Sequence, residues 1–155
     1  MFFLLIAYLI SFDGRHVQSS SETAKLYERC LRIYLDKSSK KLANDEARSR
    51  WDTTSIYLID DFIDLPPNIN RHNIVSIGSN NIDSIALAND SDFHAIKLEP
   101  IEIAGGDILI GLLEYRVTGV KGNIRLVNNG SLIFRFSYER MKKVYILKAI
   151  NSVVL

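Results

Sequence analysis

The chain has 155 residues, 47% of them hydrophobic and 10% aromatic, with 19 Lys+Arg, 18 Asp+Glu and one Cys; that is enough apolar surface for one domain with a core and too little length for two. The composition excludes a disordered, collagen-like or low-complexity chain, and one Cys excludes an internal disulfide framework and every Cys-based metal site. A net charge of +1 gives no general electrostatic pull toward nucleic acid.

Residues 2–12 form an unbroken apolar run, Phe-Phe-Leu-Leu-Ile-Ala-Tyr-Leu-Ile-Ser-Phe, as long as the core of a signal peptide and far short of the roughly 20 residues of a membrane-spanning helix. No Lys or Arg precedes it, and the following Asp13-Gly14-Arg15-His16 offers no small-x-small cleavage site. Left exposed on a folded protein, such a run is a self-association hazard. It is read as an imperfect export signal or the end of a longer leader, as an element packed on the domain, or as a membrane-surface anchor. Export is favoured, which puts an exported or periplasmic location ahead of a cytoplasmic one. The expected organisation is an apolar leader over 1–18 and a single domain over 19–155, with no conventional transmembrane span.

Ser19-Ser20-Ser21-Glu22 matches the Ser-x-x-Glu capping box, predicting a helix start at Ser19. Ala24, Tyr27, Cys30, Leu31, Tyr34 and Leu35 recur at three and four residues, with Glu22, Lys25, Glu28, Arg29, Arg32 and Asp36 filling the other side. The pattern is an amphipathic helix with one buried stripe, and Glu28 with Arg32 forms a favourable i, i+4 pair. Cys30 falls on the stripe and is expected as a small core hydrophobe. A second helical piece is expected to carry the chain through Ala43, Glu46 and Ala47 to Trp51.

Charge then divides. From 53 to 102 there are 2 basic and 8 acidic residues, net −6, and from 103 onward 8 basic and 3 acidic, net +5; opposite surfaces are expected unless the two segments face each other. Ser55-Ile56-Tyr57-Leu58-Ile59 and Ile74-Val75-Ser76-Ile77 have β-branched and aromatic content that predicts strands. Residues 80–90 fit either a short helix or a strand and loop. Asp60, Asp61, Asp64, His72 and His94 are the residues whose types suit acid–base work. Asp60, Asp61, His72 and His94 are the catalytic candidates, set against the plainer reading of loop aspartates that cap turns and histidines at the surface.

Residues 93–103 read as a strand whose phase shifts at Pro100, turning Ile101 and Ile103 inward. Ala104-Gly105-Gly106-Asp107 is a two-glycine hairpin signal, and 107–118 the return strand. Asn128-Asn129-Gly130 reads as a second hairpin turn between a short strand at 124–127 and the alternating Leu132, Phe134, Phe136 and Tyr138. A last strand covers 144–150.

One or two helices followed by about six or seven strands point to an α+β fold, with an N-terminal helix packed on a curved antiparallel β-meander. In order of elements, over about 19–150, this resembles the cystatin-like and NTF2-like cone folds. Such folds host enzymes, ligand carriers and partner-binding modules alike. No Gly-rich phosphate loop, dinucleotide fingerprint, Gly-x-Ser-x-Gly elbow or His-Glu-x-x-His occurs, and neither cofactor nor metal is expected. The expected role is a small non-enzymatic binding or interaction domain with a protein or small-molecule partner. One alternative is an NTF2-like carrier or enzyme with an interior pocket lined by Tyr57, Tyr115, Phe134 and Phe136. The other is nucleic-acid binding through Arg116, Arg125, Arg135 and their neighbours on the C-terminal sheet, against which the alternation of Arg135 with Phe134 and Phe136 argues.

Overall fold

In the computed structural model the residues described are 21–42, 55–59 and 63–153. They form a mixed α+β arrangement of two helices and an eight-stranded, largely antiparallel open sheet. The apolar run at 2–12, His16, the helical piece expected between Ala43 and Trp51, and Asp60 and Asp61 lie outside the described residues.

Helix α1 (Glu22–Leu42) starts at Ser21, whose Oγ accepts the Ala24 amide N–H at 3.1 Å. The cap is therefore two residues later than the Ser-x-x-Glu spacing predicts, and Glu22 pairs forward with Lys25 at 2.8 Å instead of reaching back. The stripe of Ala24, Leu26, Tyr27, Cys30, Leu31, Tyr34 and Leu35 is buried. Opposite it, Glu28 and Arg32 close to 2.6 Å.

The strands are β1 (Ser55–Ile59), β2 (Asn68–Ile69), β3 (His72–Ile77), β4 (Asp92–Leu98), β5 (Glu102–Ala104), β6 (Asp107–Val120), β7 (Asn123–Glu139) and β8 (Val144–Val153), with helix α2 (Ile82–Ala88) between β3 and β4. The sheet order is β2-β3-β1-β4-β6-β7-β8, and β5 pairs with β6. β6, β7 and β8 are the expected antiparallel meander. The other half differs from the expected meander, because β1 runs parallel to both β3 and β4. Parallel strands need a crossover, and α2 carries the chain from β3 across β1 to β4, so residues 82–88 of the 80–90 segment are a helix.

Alternation along the strands divides the core between two faces. Ile56, Leu58, Ile96, Leu98, Ile110, Leu112, Phe134 and Phe136 pack under α1. Ile77, Ala86, Phe93, Ala95 and Val117 pack under α2 with Tyr57, Ile82 and Ile85 against them. Helix α1 is pinned across the sheet at three points. The Tyr27 hydroxyl donates to the Glu99 carbonyl at 2.9 Å, Arg29 Nη1 donates to the Tyr145 carbonyl at 2.7 Å, and the Arg29 guanidinium lies 5.4 Å from the Phe136 ring centre.

Two turn expectations and one strand expectation meet different outcomes. Gly105 and Gly106 take positive φ of 61° and 84° and close the β5–β6 hairpin, as primed-turn geometry requires. Asn128-Asn129-Gly130 is not a turn; β7 runs straight through it, and the register with β6 slips by one residue there. The segment is a β-bulge in which the Asn128 side chain accepts the Gly130 amide at 2.8 Å, so the backbone freedom of Asn and Gly serves an extra residue instead of a reversal. Strand 93–103 does break at Pro100, into β4 and β5. Ile101 joins the α1 core, whereas Ile103 is 78% exposed on β5, a three-residue strand that pairs only with β6.

Candidate functional site

Because β1, β3 and β4 are parallel, their amino ends meet at one edge of the sheet, and a cavity of about 550 Å³ opens there. Ile56, His72, His94 and Ile96 form its α1 side together with Tyr34 and Leu35 of the helix; Tyr57, Phe93, Ala88, Asn89 and Asp90 form its α2 side. The volume falls in the range typical of small-molecule sites, about 300–1,000 Å³.

Each wall has a local reason to stand where it does. His72 follows a two-residue turn in which Asn70 and Arg71 take φ of 49° and 72°, a primed hairpin that fixes the register of β2 on β3. Asn70 docks that turn on α1: its Oδ1 accepts from Arg32 Nη1 at 2.9 Å and its Nδ2 donates to Asp36 Oδ1 at 3.1 Å. The turn, the helix residues Tyr34 and Leu35, and His72 are therefore set relative to one another.

On the other side, Asn89 caps the end of α2 through its backbone N–H to Ile85 and Ala86. Its side-chain Nδ2 donates to the Ile85 carbonyl at 2.8 Å and to the Tyr57 hydroxyl at 3.0 Å. The Tyr57 ring also meets Phe93 edge-on, with centres 4.9 Å apart. A tyrosine held at ring and hydroxyl loses little further rotamer freedom when a ligand arrives. Asp90 and Ser91 both take the left-handed conformation, φ 55° and 58°, and the Ser91 amide donates to the Ala86 carbonyl at 2.7 Å. That tight reversal puts the exposed Asp90 carboxylate on the cavity wall.

Asp92 begins β4 and also lines the cavity. Its carboxylate takes two bonds from Arg116, Nε to Oδ1 at 2.9 Å and Nη2 to Oδ2 at 2.7 Å. This fork–fork geometry is the strong form of an ion pair, and these hydrogen bonds raise the pKa of the Arg116 guanidinium. It is also a point where the acidic middle of the chain meets the basic C-terminal half.

The sequence candidates separate in space. His72, His94 and Tyr57 line this one cavity. Asp64 lines a second, smaller cavity of about 340 Å³ with Leu58, Ile63 and Ser76 at the other end of β1. Crossing a five-residue strand at about 3.3 Å per residue separates the two ends by about 15 Å, so Asp64 and the histidines do not share a site. Phe134 and Phe136 are fully buried beneath α1, and Tyr115, paired with Ala95, is on the face away from α1. None of these three lines the cavity that Tyr57 lines. Tyr34, Phe93, Asn89, Asp90 and Asp92 also line the cavity and were not among the sequence candidates. Among the described residues no group of three His, Cys, Asp or Glu side chains could hold a metal ion.

The basic residues of the C-terminal sheet are split as well. Arg116, opposite Val127, and Arg125, opposite Thr118, are on the α1 face, whereas Arg135, opposite Leu109, is on the other. Cys30, fully buried on α1, has its thiol pKa pushed up to about 12 by burial, so it stays protonated and unreactive. Among the described residues no helix is long and apolar enough to cross a membrane. The chain matches no protein-family model, no curated protein and no solved structure.

Proposed function

We propose that the chain is a non-enzymatic domain that binds a small organic molecule in the cavity at the amino ends of β1, β3 and β4. The observation that carries this reading is the cavity of about 550 Å³ whose lining combines aromatic rings, aliphatic side chains and a few fixed polar groups. Such a combination favours burial of a ligand's body and orientation of its polar end. The clamped Tyr57 supports it, because a wall fixed before binding costs the ligand less to order. The resemblance in element order to cystatin-like and NTF2-like cones is compatible with a carrier role and assigns no residue.

A fragment screen on the full chain, read by thermal shift and confirmed by calorimetry, tests the proposal. A true ligand stabilises the fold in proportion to the logarithm of its excess over Kd, and Tyr57→Ala abolishes that stabilisation. Ligands whose binding Tyr57→Ala leaves intact place the site elsewhere and refute it.

A further inference from the structure

The charge of the cavity walls narrows the ligand class, given the binding reading above. Among the described residues two carboxylates, Asp90 and Asp92, and two imidazoles, His72 and His94, line the cavity, and no Lys or Arg does. Arg116 engages Asp92 with both its Nε and Nη2 donors, which pairs that carboxylate. Among the described residues Asp90 has no ion pair. Two aromatic rings, Tyr57 and Phe93, stand on the same α2 side of the cavity as Asp90, and Tyr34 stands on the α1 side. With Asp92 paired, the Asp90 carboxylate is the wall charge that disfavours an anionic ligand and attracts a cation, and aromatic faces add attraction for an ammonium group within about 6 Å of a ring.

We infer that the cavity takes an organic cation, an amine carried on an aromatic or aliphatic body, with the Asp90 carboxylate as its counter-ion and the Tyr57 and Phe93 rings of the same side beside the body. The left-handed backbone at Asp90 makes the charge separable from the fold: Asn tolerates that conformation at least as well as Asp. Asp90→Asn therefore removes the charge and keeps the turn.

Three probes of one shape decide the matter in calorimetric titrations of the full chain near neutral pH: phenethylamine, which is protonated there, 2-phenylethanol, which is neutral, and 3-phenylpropionate, which is anionic. Phenethylamine is expected to bind at least tenfold tighter than the alcohol, with the propionate weakest. Asp90→Asn is expected to bring the amine down to the affinity of the alcohol without changing the melting temperature. If the alcohol or the propionate binds as tightly as the amine and Tyr57→Ala removes that binding, the cation assignment fails while the cavity still binds ligands. An amine affinity unchanged in Asp90→Asn also overturns the assignment. Saturable binding by none of the three overturns both the cation assignment and the binding reading beneath it.

Discussion

The two halves of the sheet are built on different terms. The meander β6–β7–β8 has strands of 14, 17 and 10 residues joined in sequence by tight turns, and its inner face is the centre of the α1 core. The trio β3–β1–β4 has strands of 6, 5 and 7 residues, parallel to one another and packed between α1 on one face and α2 on the other. Short parallel strands hold together only when both faces are covered, and their common amino end needs elements from elsewhere to close it. The cavity is in that end. The contrast teaches that the long antiparallel half serves as scaffold, while polar groups gather where the short parallel half runs out of partners.

The largest effect that sharpens this contrast is expected from the scaffold. Phe134 is fully buried at the centre of the α1 core, and Phe134→Ala should cost about 3–5 kcal/mol. In urea denaturation both halves should be lost in one transition; a transition that removes the meander signal while the trio persists would break the contrast. Next comes the seam between the halves. Gly119 has φ 131°, its amide donates to the Ser91 carbonyl at 3.3 Å, and a Cβ there would come within 2.2 Å of the Asn123 carbonyl oxygen. Gly119→Ala should cost about 2–3 kcal/mol, measurable in the same experiment, and a neutral outcome would contradict the tight closure of the β6–β7 hairpin.

Smaller effects belong to the cavity end and to α1. Asn89→Ala removes the bonds to Tyr57 and Ile85 and should cost about 1 kcal/mol, while loosening the Tyr57 ring enough to weaken any ligand. A ligand affinity indifferent to this change would separate Tyr57 from the site. Cys30 predicts a pH dependence. Burial raises its folded pKa from an ordinary value near 9 to about 12, so above pH 9 the unfolded chain releases a proton that the folded chain keeps. The stability this group contributes is present below about pH 9 and is lost between about 9 and 12, amounting to about 1 kcal/mol by pH 10. The buried Tyr27 hydroxyl, raised by desolvation, adds a loss of the same sign. Cys30→Ala should flatten the profile relative to the parent; identical profiles would show the thiol to be accessible.

What the sequence disclosed follows the same division. The α1 stripe and the alternation at Leu132, Phe134 and Phe136 are periodic signals contained in one segment, and both the helix and the β7 core face match them. The Gly105-Gly106 turn is equally local. The parallel pairing of β1 with β3 and β4 has no local signal, because it depends on which distant strands meet once α2 forms. Asn128-Asn129-Gly130 misled for a definite reason: residues that tolerate positive φ serve bulges as well as turns. At the site, residue chemistry alone pointed to Tyr57, His72 and His94. Asp92 and Arg116 come together only through the β4–β6 register, and Tyr34 reads as core until the fold shows where the α1 core ends. Asn89-Asp90-Ser91 did carry a usable signal, three residues suited to a helix end followed by left-handed backbone.

The most direct test of the cavity is a titration of the full chain with phenethylamine followed by amide chemical shifts. Saturable shifts are predicted for 55–57, 72 and 88–96, with the amides of β8 unmoved. Shifts centred on the meander, or shifts that rise without saturating over the whole surface, would contradict a binding site at the amino ends of β1, β3 and β4.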